Sequence, residues 1–147
     1  MKTKTLLAMG LCAAIGLMGI TATTARADDK DKDEKEAKVK IPDTVEGIWK
    51  AIHEEHMELA ETIKSKKLAD VHHHAFAIRD LAKALPAKAA ADKKKQVEGA
   101  VKNISKLADD LDKAGDDGKQ AETEALLKKL DGVIKVLEAQ FEKVEKK

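Results

Sequence analysis

The chain has 147 residues, of which 37% are charged, yet its 28 basic and 27 acidic side chains almost cancel to a net charge of +1. This length leaves room for one small domain and not for two sizeable ones, and the balanced charge argues against a nucleic-acid-binding protein. With Cys12 as its single cysteine, the chain cannot be a disulfide scaffold or hold zinc through several cysteines.

The first 27 residues have the pattern of a secretory signal peptide. Lys2 and Lys4 form a positive start, residues 6–20 form an apolar run, and Ala25 and Ala27 stand at the −3 and −1 positions of a cleavage site. The apolar run is shorter than the roughly 20 residues that span a bilayer. We therefore predict cleavage near Ala27 and a periplasmic or secreted protein without stable membrane insertion.

Cleavage would change the composition of the working protein. It removes three basic residues, which leaves 25 basic against 27 acidic side chains and a charge of about −2. It also removes Cys12 and every methionine except Met57, while all five histidines remain. Because no cysteine is left in an oxidising compartment, stability has to come from packing alone.

The mature chain divides into a linker and a helical domain. Residues 28–41 alternate acidic and basic side chains and contain few apolar ones, so we predict a disordered charged linker. In residues 42–147 the apolar side chains recur every three or four positions, the spacing of helices with one buried face. Four such segments joined by short turns predict an all-α, up-down-up-down four-helix bundle. The predicted helices cover residues 43–64, 67–85, 87–114 and 117–146.

Local signals suggest where these helices begin and how closely they pack. Asp43 with Glu46 has the spacing of a capping box at the start of the first helix. Asp117 with Gln120 has the same spacing before the fourth helix. Gly132 lies inside the fourth helix, where glycine costs about 1 kcal/mol relative to alanine. We therefore interpret Gly132 as a candidate position for the close approach of another helix.

The histidines are the most informative residues, because all five fall in the first two predicted helices. His56 lies about 40° from the centre of the apolar face of the first helix, at 100° per residue. His53 lies on the same flank one turn away, and imidazoles three residues apart on a helix can chelate one metal ion. On the second helix, His72 and His74 lie on opposite flanks and His73 points outward. Which of His72 and His74 faces His56 depends on the handedness of the bundle.

Metal binding is the chemistry that this cluster favours. Neutral imidazole is a usual ligand of Zn²⁺, Cu²⁺ and Ni²⁺, and a carboxylate or water completes a four-coordinate site. Glu54, Glu55 and Glu58 are nearby carboxylates. The predicted ligands are His53, His56, His72 and His74, with His73, Glu55 and Met57 as secondary candidates.

The sequence thus predicts a periplasmic protein that buffers, carries or senses copper or zinc, with nickel as a third option. The alternative is a structural or protein-interaction helical module whose histidines are solvated. No serine lies in a nucleophile elbow and no carboxylate pair has an environment that shifts its pKa, so an enzyme is not expected.

The ordered region resembles the small periplasmic bundles of the cytochrome b562 and cytochrome c′ type. The resemblance lies in the signal peptide, about 105 ordered residues, a central connection containing Pro86, and a last turn at residues 115–118. It implies the architecture alone. The c-type members attach haem through C-x-x-C-H, and no mature cysteine exists here. The b-type members use a histidine in the last helix, and residues 120–146 contain none, so haem is not expected.

Residues 68–86 are also similar to segments of uncharacterised bacterial periplasmic proteins, some of which are associated with metal efflux. This resemblance implies a metal-efflux component as a protein partner. A homodimer that completes the site with histidines from two chains is the other partner left open.

Overall fold

The computed structural model describes residues 39–142, and only the backbone of Glu142. The predicted signal peptide, residues 28–38 of the predicted linker and residues 143–147 lie outside the described residues. Within the described part the chain forms four α-helices, two short 3₁₀ turns and no strand, which confirms the predicted all-α class. The helices are α1 (Val45–Lys64), α2 (Val71–Lys83), α3 (Lys94–Asp116) and α4 (Gln120–Glu142), and the 3₁₀ turns are Leu68–Asp70 and Leu85–Ala87.

Helix α1 begins two residues later than predicted. Its N-cap is Thr44, whose Oγ1 accepts a hydrogen bond of 3.0 Å from the backbone N–H of Gly47. The predicted capping box of Asp43 with Glu46 is therefore wrong, because a threonine hydroxyl one position later already satisfies a free N–H of the first turn. The ring of Pro42 also lies over Gly47, where a Cβ would come within 2.9 Å of the proline Cβ.

The second predicted capping box is also wrong, because α3 runs past its predicted end. Asp117 is the C-cap of α3. Gly118 follows with a φ of +66°, and the N–H of Lys119 donates to the carbonyl of Ala114 at 2.9 Å. This six-residue closure is a Schellman motif, in which a left-handed glycine ends the helix.

The core is a continuous apolar cluster to which all four helices contribute. Each helix packs mainly on the next one in the chain, and α1 makes a smaller contact with α4. Helices α1 and α4 run in opposite directions, since Trp49 near the start of α1 contacts Phe141 near the end of α4. Core side chains with at most 1% exposure include Ile48, Ile52, Leu59, Ile63, Val71, Ile78, Leu81, Leu85, Val97, Ile104, Leu111, Leu130 and Leu137.

The close backbone approach occurs at Gly115 and not at Gly132. A Cβ on Gly115 would lie 2.6 Å from the carbonyl oxygen of Leu68 and 3.3 Å from the Cβ of Val71. A Cβ on Gly132 would meet nothing within 4 Å. The interpretation of Gly132 as a close-approach position is therefore wrong, since this glycine lies on the exposed face of α4.

Residues 39–41 depart from the predicted disordered linker. They have no regular secondary structure, but Val39 is half-buried and packs against the core. In the described part of the chain, no helix combines the length and the apolar character needed to cross a bilayer.

Candidate metal centre

The predicted histidine ligands lie on different faces of the helices. His74 faces the flank of α1 that carries Glu55. His53 lies on the other flank of α1 and faces Glu138 of α4. On that flank, burial lowers the pKa of His56, and the charge of Asp131 on α4 offsets part of this decrease. His72 lies near Asp112 in α3, where it offsets part of the increase that burial causes in the pKa of this carboxyl group. Of the two alternatives that the sequence left open, it is thus His74 that faces α1, and it meets a glutamate there.

The reason lies in the geometry of α1. At 100° per residue, Glu55 and His56 are about 100° apart around the helix, so each flank of the buried face holds one of them. The flank of Glu55 packs towards α2 and the flank of His56 packs towards α4. Because the two flanks meet different helices, the four predicted ligands are not brought together in one place.

The described part of the chain does contain one compact group of side chains that could hold a metal ion, formed by Glu55, Glu58 and His74. Each residue offers one ligand atom, and these atoms all lie within 4.8 Å of one another. His74 Nδ1 is 2.9 Å from Glu55 Oε2 and 3.5 Å from Glu58 Oε2. Among residues 39–142, no other group of three or more histidine, cysteine or acidic side chains meets this distance.

One distance in this group is close to that between two ligand atoms on a small divalent ion. Two ligand atoms that are each about 2.1 Å from a tetrahedral Zn²⁺ lie about 3.4 Å apart. The His74 to Glu58 distance is close to this value, and the shorter His74 to Glu55 distance is that of a hydrogen bond, in which the imidazole N–H donates to the carboxylate. An ion bound at Nδ1 would replace this proton.

The group is also accessible from solvent. The side chain of Glu58 is 66% exposed, while His74 and Glu55 are exposed by 21% and 28%. The same residues line a half-open pocket of about 240 Å³, together with His72 and His73. His72 and His73 have ring centroids 3.9 Å apart. An ion could therefore enter without any movement of a helix.

The secondary candidates have different outcomes. Glu55 is a member of the compact group, and His73 is exposed at the edge of the pocket. Met57 is 67% exposed and lies about 160° from Glu55 around α1, so it does not point to this group. Glu58 was one of three nearby carboxylates in the sequence, and its position three residues after Glu55 is the signal that singles it out.

The other flank of α1 holds a second set of polar groups. The Nε2 atom of His56 is buried and has no hydrogen-bond partner. Burial lowers the pKa of His56, the nearby Asp131 raises it in part, and His53 and Lys135 lower it further. His53 Nε2 lies 3.5 Å from Glu138 Oε1, and its ring is 6.2 Å from that of Trp49. The sequence did not indicate the contribution of α4, although Asp131 and Glu138 are seven residues apart and so share one face.

Comparison with protein-family models, with curated proteins and with solved structures gave no match. The resemblance to the cytochrome-type bundles stays an expectation about architecture alone.

Proposed function

We propose that this protein is an exported, non-catalytic metal-binding protein that holds a late divalent transition metal between α1 and α2. The observation that carries this proposal is the convergence of one imidazole and two carboxylates, from His74, Glu55 and Glu58, at one solvent-accessible point. Two of these side chains come from α1 and one from α2. Because these side chains stand on two packed helices and not on a flexible loop, the packing of α1 on α2 holds them in their relative positions.

The ligand set favours Zn²⁺ over the other candidates. Imidazole and carboxylate are common zinc ligands, and a site with three protein ligands keeps one position for water or a partner group. Cu²⁺ and Ni²⁺ accept the same donors. Cu⁺ prefers sulfur, and the one thioether near the site, that of Met57, points elsewhere. We therefore rank Zn²⁺ first, Cu²⁺ second and Ni²⁺ third.

The wider role follows from the signal-peptide pattern and from the exposure of the site. We propose a periplasmic buffer, carrier or sensor built as an up-down-up-down bundle, which the packing of each helix on the next supports. A three-ligand site with an exposed glutamate can pass its ion to another protein, such as a component of a metal-efflux system. His73 or a second copy of the chain is a candidate for the fourth ligand.

Thermal unfolding with and without metal tests this proposal. At 100 times its Kd, an ion that binds only the folded state adds about 2.7 kcal/mol, which raises the Tm of a domain of this size by several degrees. We expect such a rise with Zn²⁺ at about pH 7.5, and a clearly smaller rise in Glu55→Gln and in His74→Gln.

Glu54→Gln is the matched control, because Glu54 is adjacent in sequence and exposed, and it pairs with Lys50 and lies outside the compact group. Its metal-dependent rise should equal that of the wild type. An undiminished rise in both Glu55→Gln and His74→Gln would contradict the site. If no metal raised the Tm of the wild type, a helical protein-interaction module would become the better interpretation.

A further inference from the structure

We propose that the outer face of α3 is a self-complementary surface through which two copies of this chain associate in antiparallel orientation. The inference goes beyond the function proposed above, because α3 supplies none of the side chains that line the pocket at Glu55, Glu58 and His74.

The charges of α3 are segregated along its sequence. Residues 93–106 contain five lysines and one acidic residue, and residues 107–117 contain five aspartates and one lysine. The first turn of the helix has no acidic residue. The helix dipole favours the reverse order, with acidic side chains near the start of a helix and basic ones near its end. Most of these charges are therefore unfavourably placed for α3 alone.

Six of the charges form one narrow stripe, the α3 stripe. At 100° per residue they fall within an arc of about 60°, on a face that the buried side chains of α3 do not share. All six side chains are exposed. They alternate in sign and are separated by 3, 4, 7, 4 and 3 residues, in the order Lys95, Glu98, Lys102, Asp109, Lys113 and Asp116.

The α3 stripe is complementary to its own reverse. The spacings are the same when they are read from either end, whereas every sign becomes its opposite. A twofold axis that passes between Ser105 and Lys106 therefore brings each charge of one antiparallel α3 opposite a charge of the other sign in the partner, as a closed symmetric dimer requires. The pairs between copies are Lys95 with Asp116, Glu98 with Lys113, and Lys102 with Asp109.

The charges of the α3 stripe are largely uncompensated within the chain. Of the six, Asp109 lies 3.8 Å from the guanidinium of Arg79, and none of the other five has an ion-pair partner within 4 Å among the described residues. Burial raises the pKa of the neighbouring Asp112, and the like charges of Asp116 and Asp109 raise it further. Lysines of a second copy beside Asp109 and Asp116 would offset this repulsion.

Sedimentation equilibrium of the purified protein tests the proposal, with EDTA present so that no metal ion links two copies. Exposed ion pairs are individually weak and are screened by salt. We therefore expect a weak dimer at a protein concentration of about 1 mM in about 10 mM salt, and a monomer in about 1 M salt.

Charge reversal at one pair distinguishes a dimer surface from a solvated face. In a homodimer, Lys95→Glu places two negative charges opposite each other, and Asp116→Lys places two positive charges opposite each other. Each substitution should weaken the dimer at least about tenfold, because like charges across an interface oppose association. Both substitutions agree with the dipole of α3, so both variants should fold, and circular dichroism verifies this.

A mixture of these two variants is the sharpest test. When a Lys95→Glu chain meets an Asp116→Lys chain, every pair again joins opposite charges. The mixture should therefore form a heterodimer, although neither variant forms a homodimer. Lys128→Glu is the matched control, because it makes the same change of charge at an exposed position on α4, and it should dimerise like the wild type.

Lys106 tests the position of the twofold axis, since in this register it lies beside its own copy. Lys106→Ser removes this contact between like charges and should tighten the dimer. An unchanged or weaker dimer in this variant would contradict the proposed register.

A protein that stays monomeric at low salt would overturn the proposal. A dimer that persists in both Lys95→Glu and Asp116→Lys would overturn it as well, because the contact would then lie on another face. Failure of the mixed variants to associate would contradict the pairing of Lys95 with Asp116. None of these results bears on the metal site between α1 and α2, which all the variants keep.

Discussion

Asp112 lies in the last two turns of α3. Its negative charge is destabilised in the folded protein. Partial burial raises the pKa of its carboxyl group, Asp116 raises it further, and His72 offsets part of this effect. The unfolded chain therefore releases this proton at a lower pH than the folded chain does. As pH rises through the unfolded and then the folded pKa, the free energy of unfolding falls, and the whole penalty is present at neutral pH.

Replacing Asp112 by Asn should remove this penalty. We expect Asp112→Asn to have a higher Tm than the wild type at neutral pH, and the difference should largely disappear at about pH 3, where this carboxyl group is mostly protonated in both the folded and the unfolded chain. Thermal melts at the two pH values measure this. Asp110→Asn, at an exposed neighbouring position, is the control, and an equal gain in this variant would attribute the effect to net charge.

Lys66 is the second residue with a local cost, since its φ of 59° lies in the left-handed region. The backbone needs this conformation there, because the N–H of Lys67 closes α1 by donating to the carbonyl of Thr62 at 3.0 Å. For most L-residues the left-handed conformation costs roughly 1–2 kcal/mol of conformational energy, whereas glycine adopts it without this cost.

We expect Lys66→Gly to raise the free energy of unfolding by about 1 kcal/mol, after allowance for the greater freedom of glycine in the unfolded chain. Urea denaturation measures it. Lys67 has a φ of −86°, so Lys67→Gly should give no gain. Equal effects of the two substitutions would mean that backbone strain at Lys66 is not relieved.

At the scale of the elements, two helical glycines that look alike in the sequence have opposite roles. Gly115 lets the end of α3 approach the 3₁₀ turn at residues 68–70, where a backbone carbonyl leaves no room for a methyl group. Gly132 faces open space. Only the first glycine is required by packing.

Alanine at each position should therefore shift stability in opposite directions. Gly115→Ala should destabilise the protein by about 1–3 kcal/mol, the usual cost of overpacking, and Gly132→Ala should stabilise it by about 1 kcal/mol through helix propensity. Gly99, also without neighbours for a Cβ, is a second position for the stabilising change. Denaturant titrations that gave the same sign for Gly115→Ala and Gly132→Ala would contradict this assignment.

Helix starts were harder to predict than helix faces. Asp43 and Thr44 are both good N-cap residues, and the choice between them depends on how the Pro42 ring packs over Gly47. The third predicted helix begins at residue 87, but residues 88–93 are turns and irregular backbone, and α3 starts at Lys94. An apolar stripe identifies the middle of a helix well, whereas its ends depend on contacts from other parts of the chain.

At the scale of the whole molecule, the sequence predicted the all-α class because the apolar spacing is regular in every helix. It also predicted that His72, His73 and His74 point in different directions, and they lie towards Asp112 of α3, towards solvent and towards Glu55 of α1, respectively. It could not predict which neighbour each flank of α1 would meet, since this depends on the handedness with which the helices pack. It is the packing of α2 and α4 on α1 that brings His74 beside Glu58 and brings Glu138 and Asp131 to the flank of His53 and His56.

The packing of each helix on the next one has a consequence for how the chain folds. Most native contacts join segments that are close in sequence, so the contact order is low, and helical proteins of this kind fold within microseconds to milliseconds. A chain that emerges N-terminus first, from a ribosome or a translocation channel, can pair α1 with α2 before α4 is available. The small contact between α1 and α4 is then the last to form, and no slow closure of a long loop has to precede it.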